Sequence, residues 1–441
     1  MLIVILAAIA ALLGFCVLKG YRLSNLKAMF VPYEAPSPGI SAVASAADKT
    51  AAVLPDTEAK LSESVAAAAQ AGREYEETAA ASLTAEPVEE KELVYDFTLG
   101  FAGDICFADN YIPMQYLAAI GSTDIADGID PGYIDIMKSM DLMWINNEFA
   151  YSSRGEPLPG KTFTFCGDPA NVSYMNDLGV DIVGLANNHC FDFGEDAFLD
   201  TLTTLEDAGI PYVGAGRTIE EAAAPVYLEA GGFTIAYVAA SRAEFTIYTP
   251  EATETTPGIL LCYDDTRILE SIRTAAENAD FVIVLPHWGL EHYAYPQETE
   301  MESAHAYIEA GADAVIGAHP HILQGIEYWN GKPILYSLGN FWFDNYDIDT
   351  MIAALHFSGR TPADAPSLED ADMELIVYPG TQTRTYTWLA DTEDWKDRIL
   401  RYLQNISFGV TIDDSGIVRE IPEEYTEEYT EEYTEEYTEE Y

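Results

Sequence analysis

The sequence predicts an α/β fold in which most strands pair in parallel. Between about residues 95 and 421, amphipathic helical segments are followed by a glycine and then by a short apolar strand. The segment Glu195–Ala208 shows the pattern, because Phe198 and Leu202 share one helical face and Gly209 follows where a helix C-cap favours positive φ. Strands that are connected by helices run parallel, because each helix returns the chain to the same end of the sheet.

The predicted elements follow one another in a regular order. They are a strand at 97–102, a helix at 169–178 with a strand at 181–186, a helix at 195–208 with a strand at 211–213, a helix around 268–275 with a strand at 281–285, a helix at 301–310 with a strand at 313–318, and a strand at 334–338. Residues 351–357, 373–378 and 406–412 alternate apolar and polar side chains instead, which is typical of antiparallel strands. The sheet is therefore expected to be mixed or doubled.

The N-terminal segment, residues 1–22, predicts attachment to a membrane. Residues 2–18 form an uncharged apolar run close to the shortest helix that crosses a bilayer, and both a membrane anchor and a cleaved signal fit it. A retained anchor is favoured, because no clean cleavage signal follows. Lys19, Arg22 and Lys27 come after the run, so the positive-inside rule alone places the domain in the cytoplasm. The composition of the rest favours a cell-membrane protein with its domain on the extracytoplasmic side.

Two biased segments border the predicted domain. Residues 23–94 are rich in Ala, Ser, Glu and Pro, and their apolar surface is too small to offset the entropy of ordering, which is typical of a disordered spacer. Residues 422–441 repeat the motif EEYT, whose paired glutamates repel one another and predict a disordered acidic tail. The folded domain is expected over residues 95–421.

The composition excludes some classes of partner. Lys and Arg total 21 against 74 Asp and Glu, for a formal net charge of −53. Nucleic acid and anionic lipid are excluded as main partners, because binding phosphate groups requires clustered cations. A divalent cation suits this acidity. The five cysteines lack C-x-x-C spacing and predict buried thiols rather than a disulfide framework or a zinc ribbon.

Four predicted strands end in residues that can bind metal. Asp104 follows the first strand, Asn187–His189 follow the second, His287 ends another, and His319 and His321 follow the strand after that. In α/β sheets, ligands bind at the carboxyl ends of the strands, so these side chains are expected to converge. Four of the seven histidines in the chain occupy these positions.

These residue types indicate a catalytic metal site rather than a structural one. His319 and His321 are two residues apart, so in an extended segment both side chains point the same way. Neutral imidazoles bind Zn, Mn or Fe, and Asp104 and Glu148 add hard oxygen ligands. One divalent ion, or two roughly 3.5–4 Å apart, could generate hydroxide and clamp a phosphoryl or acyl oxygen. His189 would then act as a general acid or stabilise developing charge.

Other interpretations stay open for single residues. Cys106 and Cys190 could be thiolate ligands, although buried small side chains are favoured. Glu291 either orients a ligand imidazole or caps a helix. Asn340 follows an apolar strand and could join the same rim. The remaining histidines are expected to have structural roles: His292, His305 and His356.

Six short motifs occur in a fixed order between residues 96 and 342. They are Gly103-Asp104, Asn147-Glu148, Asn187-Asn188-His189 with Asp192 and Gly194, His287-Trp288-Gly-x-Glu291, Gly317-Ala-His319-Pro-His321 and Ser337-Leu-Gly-Asn340-Phe341. Together they resemble the motifs of the CapA family of capsule synthesis proteins. The resemblance implies a membrane segment and an outward domain of the calcineurin-like metallophosphatase fold, a four-layer sandwich of two mixed sheets flanked by helices. It also implies a part in making, exporting or anchoring poly-γ-glutamate or a related polymer.

The same resemblance implies roles for individual residues. Metal would be held by Asp104, Glu148, Asn188, His287, His319 and His321. His189 would be the acid, and supporting or substrate-contacting roles would fall to Asn187, Trp288, Glu291 and Asn340. Metallophosphatases usually have Asp-x-His in the first motif, whereas this chain has Cys106 two residues after the aspartate. That departure leaves open whether one metal site is weakened or lost.

Three functions are compatible with these observations. The first is a metal-dependent hydrolase or transferase that acts on an envelope polymer, its precursor or its carrier, beside other capsule synthesis membrane proteins. The second is a non-catalytic accessory subunit of a polymer synthesis or export complex, favoured by the missing first-motif histidine. The third is a generic cytoplasmic metallophosphoesterase, favoured by the charges after the apolar run. The gathering of ligand-type residues at strand ends favours the first.

Overall fold

The computed structural model describes residues 92–243, 247–343 and 346–422 of the 441-residue chain. The predicted anchor, almost all of the spacer and almost all of the EEYT tail lie outside these residues and stay predictions. In the part of the chain that is described, no helix is both long and apolar enough to cross a membrane.

The strands and helices alternate through the first two thirds of the domain. The strands are β1 (Glu92–Ile105), β2 (Leu142–Asn147), β3 (Ala150–Tyr151), β4 (Cys166–Gly167), β5 (Ile182–Gly184), β6 (Tyr212–Val213), β7 (Ala215–Gly216), β8 (Val226–Ala230), β9 (Phe233–Ser241), β10 (Gly258–Ile259), β11 (Phe281–His287), β12 (Ala314–Ile316), β13 (Ile326–Trp329), β14 (Lys332–Leu335), β15 (Asn340–Trp342), β16 (Ile348–Pro362), β17 (Asp372–Gln382), β18 (Thr387–Leu389), β19 (Val410–Ile412) and β20 (Ile417–Glu420). The α-helices are α1 (Ile112–Ile120), α2 (Pro131–Lys138), α3 (Ser173–Leu178), α4 (Glu195–Ala208), α5 (Ile219–Ala223), α6 (Thr266–Ala276), α7 (Glu298–Ala310) and α8 (Glu393–Ile406).

Most of these strands form two large mixed sheets, and β3 with β4 and β7 with β10 form two small two-stranded sheets. The first sheet has the order β19-β20-β17-β16-β1-β2-β5-β6, with β15 added beside β1 and β18 beside β17. Its centre changes direction, because β1 is parallel to β2 and antiparallel to β16. The second sheet has the order β13-β14-β12-β11-β9-β8, with parallel pairing from β14 to β9 and antiparallel strands at both edges. The expectation of a mixed or doubled sheet is confirmed.

The two sheets face each other across an apolar core. Phe97 and Phe101 of β1 lie in the same buried cluster as Ile235 of β9 and Ile283 of β11. Neighbouring strand residues point the other way, as the pleat requires, and pack against α1–α4 outside the first sheet and against α5–α7 outside the second. The molecule is therefore a four-layer sandwich of helices, sheet, sheet and helices, which confirms the predicted fold class.

The predicted helices are present, with two differences at their starts. Residues 169–172 of the predicted helix 169–178 form a 3-10 helix, and α3 starts at Ser173. Helix α4 spans the predicted residues, and Gly209 closes it with φ 72°. Helix α7 begins at Glu298 rather than at residue 301, because Gln297 and Glu300 form a capping box that starts the helix earlier.

The predicted strand 406–412 is wrong in its first part, and only Val410–Ile412 form the antiparallel strand that was expected. Ile406 is the last residue of α8, whose buried residues Ile399, Leu403 and Ile406 recur at helical spacing. The strand β19 starts only at Val410, after Gly409 has turned the chain with φ 60°. The alternation of apolar and polar residues at 406–412 therefore spans two elements, the end of α8 and the start of β19. The neighbouring predictions, 351–357 and 373–378, lie in antiparallel β16 and β17.

Candidate metal centre

The candidate metal centre lies where the two sheets approach each other at the carboxyl ends of their parallel strands. Its side chains come from β1, from the turns after β2, β5 and β12, and from the end of β11. All of them are buried: Asp104, Glu148, Asn188, His189, His287, His319 and His321. The structure thus brings together every residue that the sequence nominated as a metal ligand or as the acid.

A close backbone approach fixes the position of Asp104. The backbone N–H of Asp104 donates a hydrogen bond to the carbonyl of Gly339 at 3.1 Å, where the chain crosses from the second sheet into the first. A Cβ at Gly103 would lie 1.8 Å from that carbonyl oxygen. Only glycine at 103 allows the two segments to meet. Asp104 then lies opposite Asn340 in the β1–β15 pair.

Glu148 is at the middle of the centre. Its Oε1 lies 3.6 Å from His287 Nε2, 3.9 Å from His189 Nε2 and 4.0 Å from His321 Nε2. This oxygen is buried and accepts no hydrogen bond from the described residues. A buried polar atom normally has a partner, so a carboxylate oxygen that is directed at three imidazoles fits a bound cation.

Two overlapping sets of side chains could each hold an ion. The possible ligand atoms of Glu148, His319 and His321 lie within 4.8 Å of one another, and so do those of Asp104, Glu148 and His287. Glu148 belongs to both sets, which is the position of a bridging carboxylate. Imidazoles combined with carboxylates suit Zn, Mn or Fe better than Ca or Mg, whose ligands in proteins are oxygens.

His189 is held by a carboxylate. Its Nδ1 lies 2.7 Å from Asp192 Oδ2, and its backbone N–H donates to Asn187 Oδ1 at 3.1 Å. A carboxylate only accepts, so Nδ1 carries the hydrogen and Nε2 faces Glu148. Asn187, predicted as a supporting residue, also donates to Asn146 Oδ1 at 3.1 Å and to the Asn147 carbonyl at 2.9 Å. The imidazole is therefore oriented before any substrate arrives.

His319 and His321 reach the centre from a turn. They have φ 100° and 61°, so the extended segment expected for them is wrong, although both side chains approach Glu148. Positive φ is uncommon for residues with a Cβ, and such strain is concentrated at functional sites. His321 Nδ1 lies 2.8 Å from Asn340 Oδ1 and 3.2 Å from Asp104 Oδ2, and Asn340 thereby takes the supporting place that was predicted for it.

Asn146 is a site residue that the sequence reasoning missed. Its Nδ2 donates to Asp104 Oδ1 at 2.7 Å and to Glu148 Oε2 at 3.2 Å, and lies 3.3 Å from His287 Nδ1. Its two amide hydrogens therefore orient two candidate ligands, Asp104 and Glu148, and the amide lies against a third, His287. The available signal was its place two residues before Glu148, which puts both side chains on the same side of an extended chain.

Two predicted supporting residues take other places. Trp288 is fully buried between Tyr307 and Tyr336 and donates its Nε1–H to the Tyr336 carbonyl at 3.0 Å, so it belongs to the core outside the second sheet. Glu291 lies on an exposed turn, and the next helix starts only at Glu298, so the helix-cap alternative is wrong. Its charge still acts on the centre by raising the pKa of nearby groups.

The two cysteines near the centre are buried thiols. Burial raises the pKa of Cys106 well above its ordinary value and that of Cys190 to about 12. Cys190 donates its S–H to the Asn187 carbonyl at 3.3 Å. A thiol in this state is a poor ligand, because metals bind the thiolate. The preference for buried small side chains agrees with this structure.

A cleft of about 420 Å³ opens beside the centre. It is lined by His292, Ile322, Leu323, Tyr346, Asp347, Ile348, Asp349 and Tyr402. The ring of His292 lies 6.1 Å from that of His321, so the cleft starts next to a candidate ligand. His292 was expected to be structural and lines this opening instead. His305 does have a structural place, stacked on Trp329.

The electrostatics suit a cation. Burial raises the pKa of Glu148 well above its ordinary value, and the adjacent carboxylate of Asp104 adds to the effect. Burial also lowers the pKa of His287 and His319, with the neighbouring imidazoles contributing. Burial opposes protonation of His321 as well, but Asp104, Glu291 and Asn340 together outweigh burial and raise the pKa of His321. Neutral imidazoles are ready to bind metal, and a cation would displace a proton from Glu148.

The fold and the centre define the class: a two-sheet α/β protein with a buried cluster of imidazoles and carboxylates suited to a divalent metal. A family model, "Bacterial capsule synthesis protein PGA_cap", matches residues 98–345, and the chain belongs to this family. The predicted resemblance to CapA proteins is thereby confirmed.

Two curated relatives illustrate the similarity. The chain is 35% identical over 175 residues to "PGA biosynthesis protein CapA" of Bacillus subtilis, covering 40% of this chain and 45% of that protein. It is 35% identical over 184 residues to "Capsule biosynthesis protein CapA" of Bacillus anthracis, covering 39% and 42%. The matched part is thus less than half of each relative. Among solved structures, Haemophilus influenzae NAD nucleotidase shares 12% identity at a TM-score of 0.36, over 77% of this chain and 60% of that one. So low a score carries no functional likeness.

Proposed function

We propose that this protein is a metal-dependent hydrolase or transferase that acts in the synthesis or export of a capsule polymer, poly-γ-glutamate or a relative of it. The observation that carries the proposal is the buried Glu148 oxygen that faces three imidazoles without a hydrogen-bond partner among the described residues. The names of the two Bacillus relatives support the biological role.

The chemistry follows from the donor set. One or two divalent ions would be held by Asp104, Glu148, Asn188, His287, His319 and His321. Such an ion supplies an activated water and stabilises charge on a phosphoryl or acyl oxygen. Asn146 and Asn340 keep the ligand side chains in place, as their hydrogen bonds show. Rigid support of this kind lowers the cost of organising the site at the moment of reaction.

His189 is the general acid of the proposed reaction. Asp192 accepts the Nδ1–H of His189 and leaves Nε2 directed toward Glu148. When the imidazole carries a second proton on Nε2, it can give that proton to a leaving-group oxygen and keep the one on Nδ1. The rings of Phe165 and Phe343 lie 4.5 and 6.3 Å from the imidazole ring, and Phe343 lies 4.9 Å from the ring of His321. These rings keep water away from one side and strengthen the electrostatic interactions within the centre.

The proposal extends to cellular location. The apolar run at residues 2–18 supports attachment to the cell membrane, and the composition of the rest of the chain favours a domain that faces outward. There it would meet the polymer, its precursor and other membrane proteins of capsule synthesis. Protease treatment of intact cells tests this location, because an outward domain is digested and an inward one is protected.

Metal analysis tests the central claim. The full-length protein is purified, stripped with chelator and reloaded with Mn²⁺, Zn²⁺ or Fe²⁺, and bound metal and hydrolysis of bis-p-nitrophenyl phosphate are measured. We expect one or two ions per chain and turnover that His319→Ala abolishes. His305→Gln is the matched control, because that imidazole stacks on Trp329 away from the centre. A wild-type protein without retained metal, or a His319→Ala variant that binds metal normally, would refute the proposal.

A second candidate function is a non-catalytic accessory subunit. Cys106 stands where the first motif of metallophosphatases has a histidine, and its buried thiol belongs to neither candidate ligand group of the described residues. Capsule formation in cells separates the two functions. If His189→Asn cells make normal capsule while His319→Ala cells make none, the centre binds without proton transfer, and the accessory role is correct.

A further inference from the structure

A buried lysine enters the centre from a loop. Residues 152–165, called the strap here, connect β3 to β4 and run over the outside of the domain. The side chain of Phe163 on the strap is 61% exposed, whereas that of Lys161 is only 4% exposed. Lysine is almost never buried to this degree unless its charge is paired. The strap therefore places the Lys161 ammonium group inside the domain, where its charge is paired with a defined partner.

That partner is the carboxylate behind His189. Lys161 Nζ lies 2.8 Å from Asp192 Oδ1, and both side chains are buried. The other oxygen, Asp192 Oδ2, accepts from the backbone N–H of Phe165 at 2.7 Å and lies 2.7 Å from His189 Nδ1. Because Lys161 occupies one oxygen, the second is left to orient the imidazole.

The same ammonium group also contacts the metal-binding half of the centre. Lys161 Nζ donates to the backbone carbonyl of Asn188, which accepts a further hydrogen bond from Thr249 Oγ1 at 2.8 Å. The side-chain oxygen of Asn188 lies 2.8 Å from His287 Nε2. The Lys161 ammonium group thus contacts both the carboxylate that orients His189, the proposed acid, and the backbone of Asn188, a proposed metal ligand.

We propose that Lys161 is a positioning residue for His189, acting through Asp192 and through the backbone of Asn188. The proposal rests on the proposed function, since it assigns a role within the same centre. Without the ammonium group, a buried carboxylate loses its only side-chain cation partner among these contacts and can turn away from the imidazole. His189 would then lose its fixed orientation toward Glu148.

The other end of the strap provides a matched control. Arg154 donates through Nε to Asp200 at 2.9 Å and through Nη1 to Asp196 at 3.1 Å, both on helix α4. This ion pair is largely exposed and touches no residue of the centre. Arg154→Met therefore loosens the strap and leaves the contacts of Asp192 intact.

The experiment compares Lys161→Met, Lys161→Arg and Arg154→Met in the full-length protein. Proton NMR of the metal-free protein records the strongly deshielded Nδ1–H signal of His189, assigned by its absence in His189→Asn. With Mn²⁺ bound, kcat and KM are measured on bis-p-nitrophenyl phosphate. For Lys161→Met we expect loss of the signal and a kcat about 10–100-fold lower with KM changed less than about twofold. Lys161→Arg restores part of both, and Arg154→Met leaves both unchanged.

Two outcomes would overturn the proposal. One is a Lys161→Met protein that keeps the His189 signal and the kcat of the wild type. The other is an Arg154→Met protein with the same losses as Lys161→Met, because docking of the strap rather than the ammonium group would then be responsible. Should the wild type bind no Mn²⁺ and hydrolyse nothing, the proposed function fails, while the NMR comparison still decides the role of Lys161.

Discussion

Replacing Glu148 by glutamine should make the metal-free protein less sensitive to alkaline pH. Burial and Asp104 raise the pKa of Glu148 above its ordinary 4.5, so the folded protein holds a proton that the unfolded chain has lost. A group with a raised pKa stabilises the fold at low pH and loses that contribution as pH rises toward the folded-state pKa. Each retained proton makes the free energy of unfolding fall by about 1.4 kcal/mol per pH unit.

Between pH 7 and 8.5, the difference between the wild type and Glu148→Gln in the pH slope of the unfolding free energy reports on Glu148. His287 and His319 have lowered pKa values, so above pH 7 they are neutral in both states and contribute no slope. The carboxyl of Glu300, with a pKa of about 7, still titrates in the lower part of this window, but it does so equally in the wild type and in the variant. His321, whose pKa is raised, contributes a slope of the same sign in the wild type and in the variant. Over 1.5 pH units, one proton corresponds to about 2 kcal/mol.

Urea unfolding, followed by tryptophan fluorescence after removal of metal, measures the difference. The wild type should lose up to about 2 kcal/mol more stability than Glu148→Gln between pH 7 and 8.5. Glu156→Gln, at an exposed position of the strap, is the control and should follow the wild type. Saturating Mn²⁺ should flatten the wild-type slope, because the cation replaces the proton. Equal slopes for wild type and Glu148→Gln would refute the reasoning.

Three further predictions concern other parts of the centre. Asn146→Ala should weaken Mn²⁺ binding about 10–100-fold by calorimetry, because Asp104 and Glu148 lose the amide that orients them, and unchanged affinity would contradict this. Gly103→Ala should destabilise the fold by about 1–3 kcal/mol in urea, because a Cβ would lie 1.8 Å from the Gly339 carbonyl oxygen; a stability equal to the wild type would contradict this clash. Because the pKa of Glu148 is raised by burial, Mn²⁺ binding should release protons, detectable as a buffer-dependent binding enthalpy, and a buffer-independent enthalpy would contradict the raised pKa.

The sequence was sufficient for the fold class and for most of the centre, because both depend on local signals. Helix, glycine and apolar strand recur in order, and Gly209 and Gly179 close their helices in the left-handed conformation as expected. Parallel strands then bring their carboxyl ends together, so residues that follow different strands had to meet. That single rule gathered Asp104, His189 and His287 without any knowledge of tertiary contacts.

What the sequence did not predict depends on tertiary packing. Lys161 lies in a loop without periodic pattern, and only the folded chain shows that its side chain turns inward to Asp192. The turn at His319 and His321 has positive φ without glycine, a conformation that local propensity disfavours and the surrounding structure imposes. Asn146 was overlooked because its position two residues before Glu148 shows that the two side chains share a side of the strand but not that the amide contacts Asp104.

The centre and the sheet packing depend on each other. After β14 the chain leaves the second sheet, passes Gly339 and enters the first sheet as β15 beside β1, so Asn340 lies opposite Asp104. His321 from the second sheet then contacts both of these side chains. A cation held jointly by Asp104 of the first sheet and His287 of the second would likewise join the two sheets directly. Any mutation that shifts one sheet against the other should therefore weaken metal binding before it unfolds the domain.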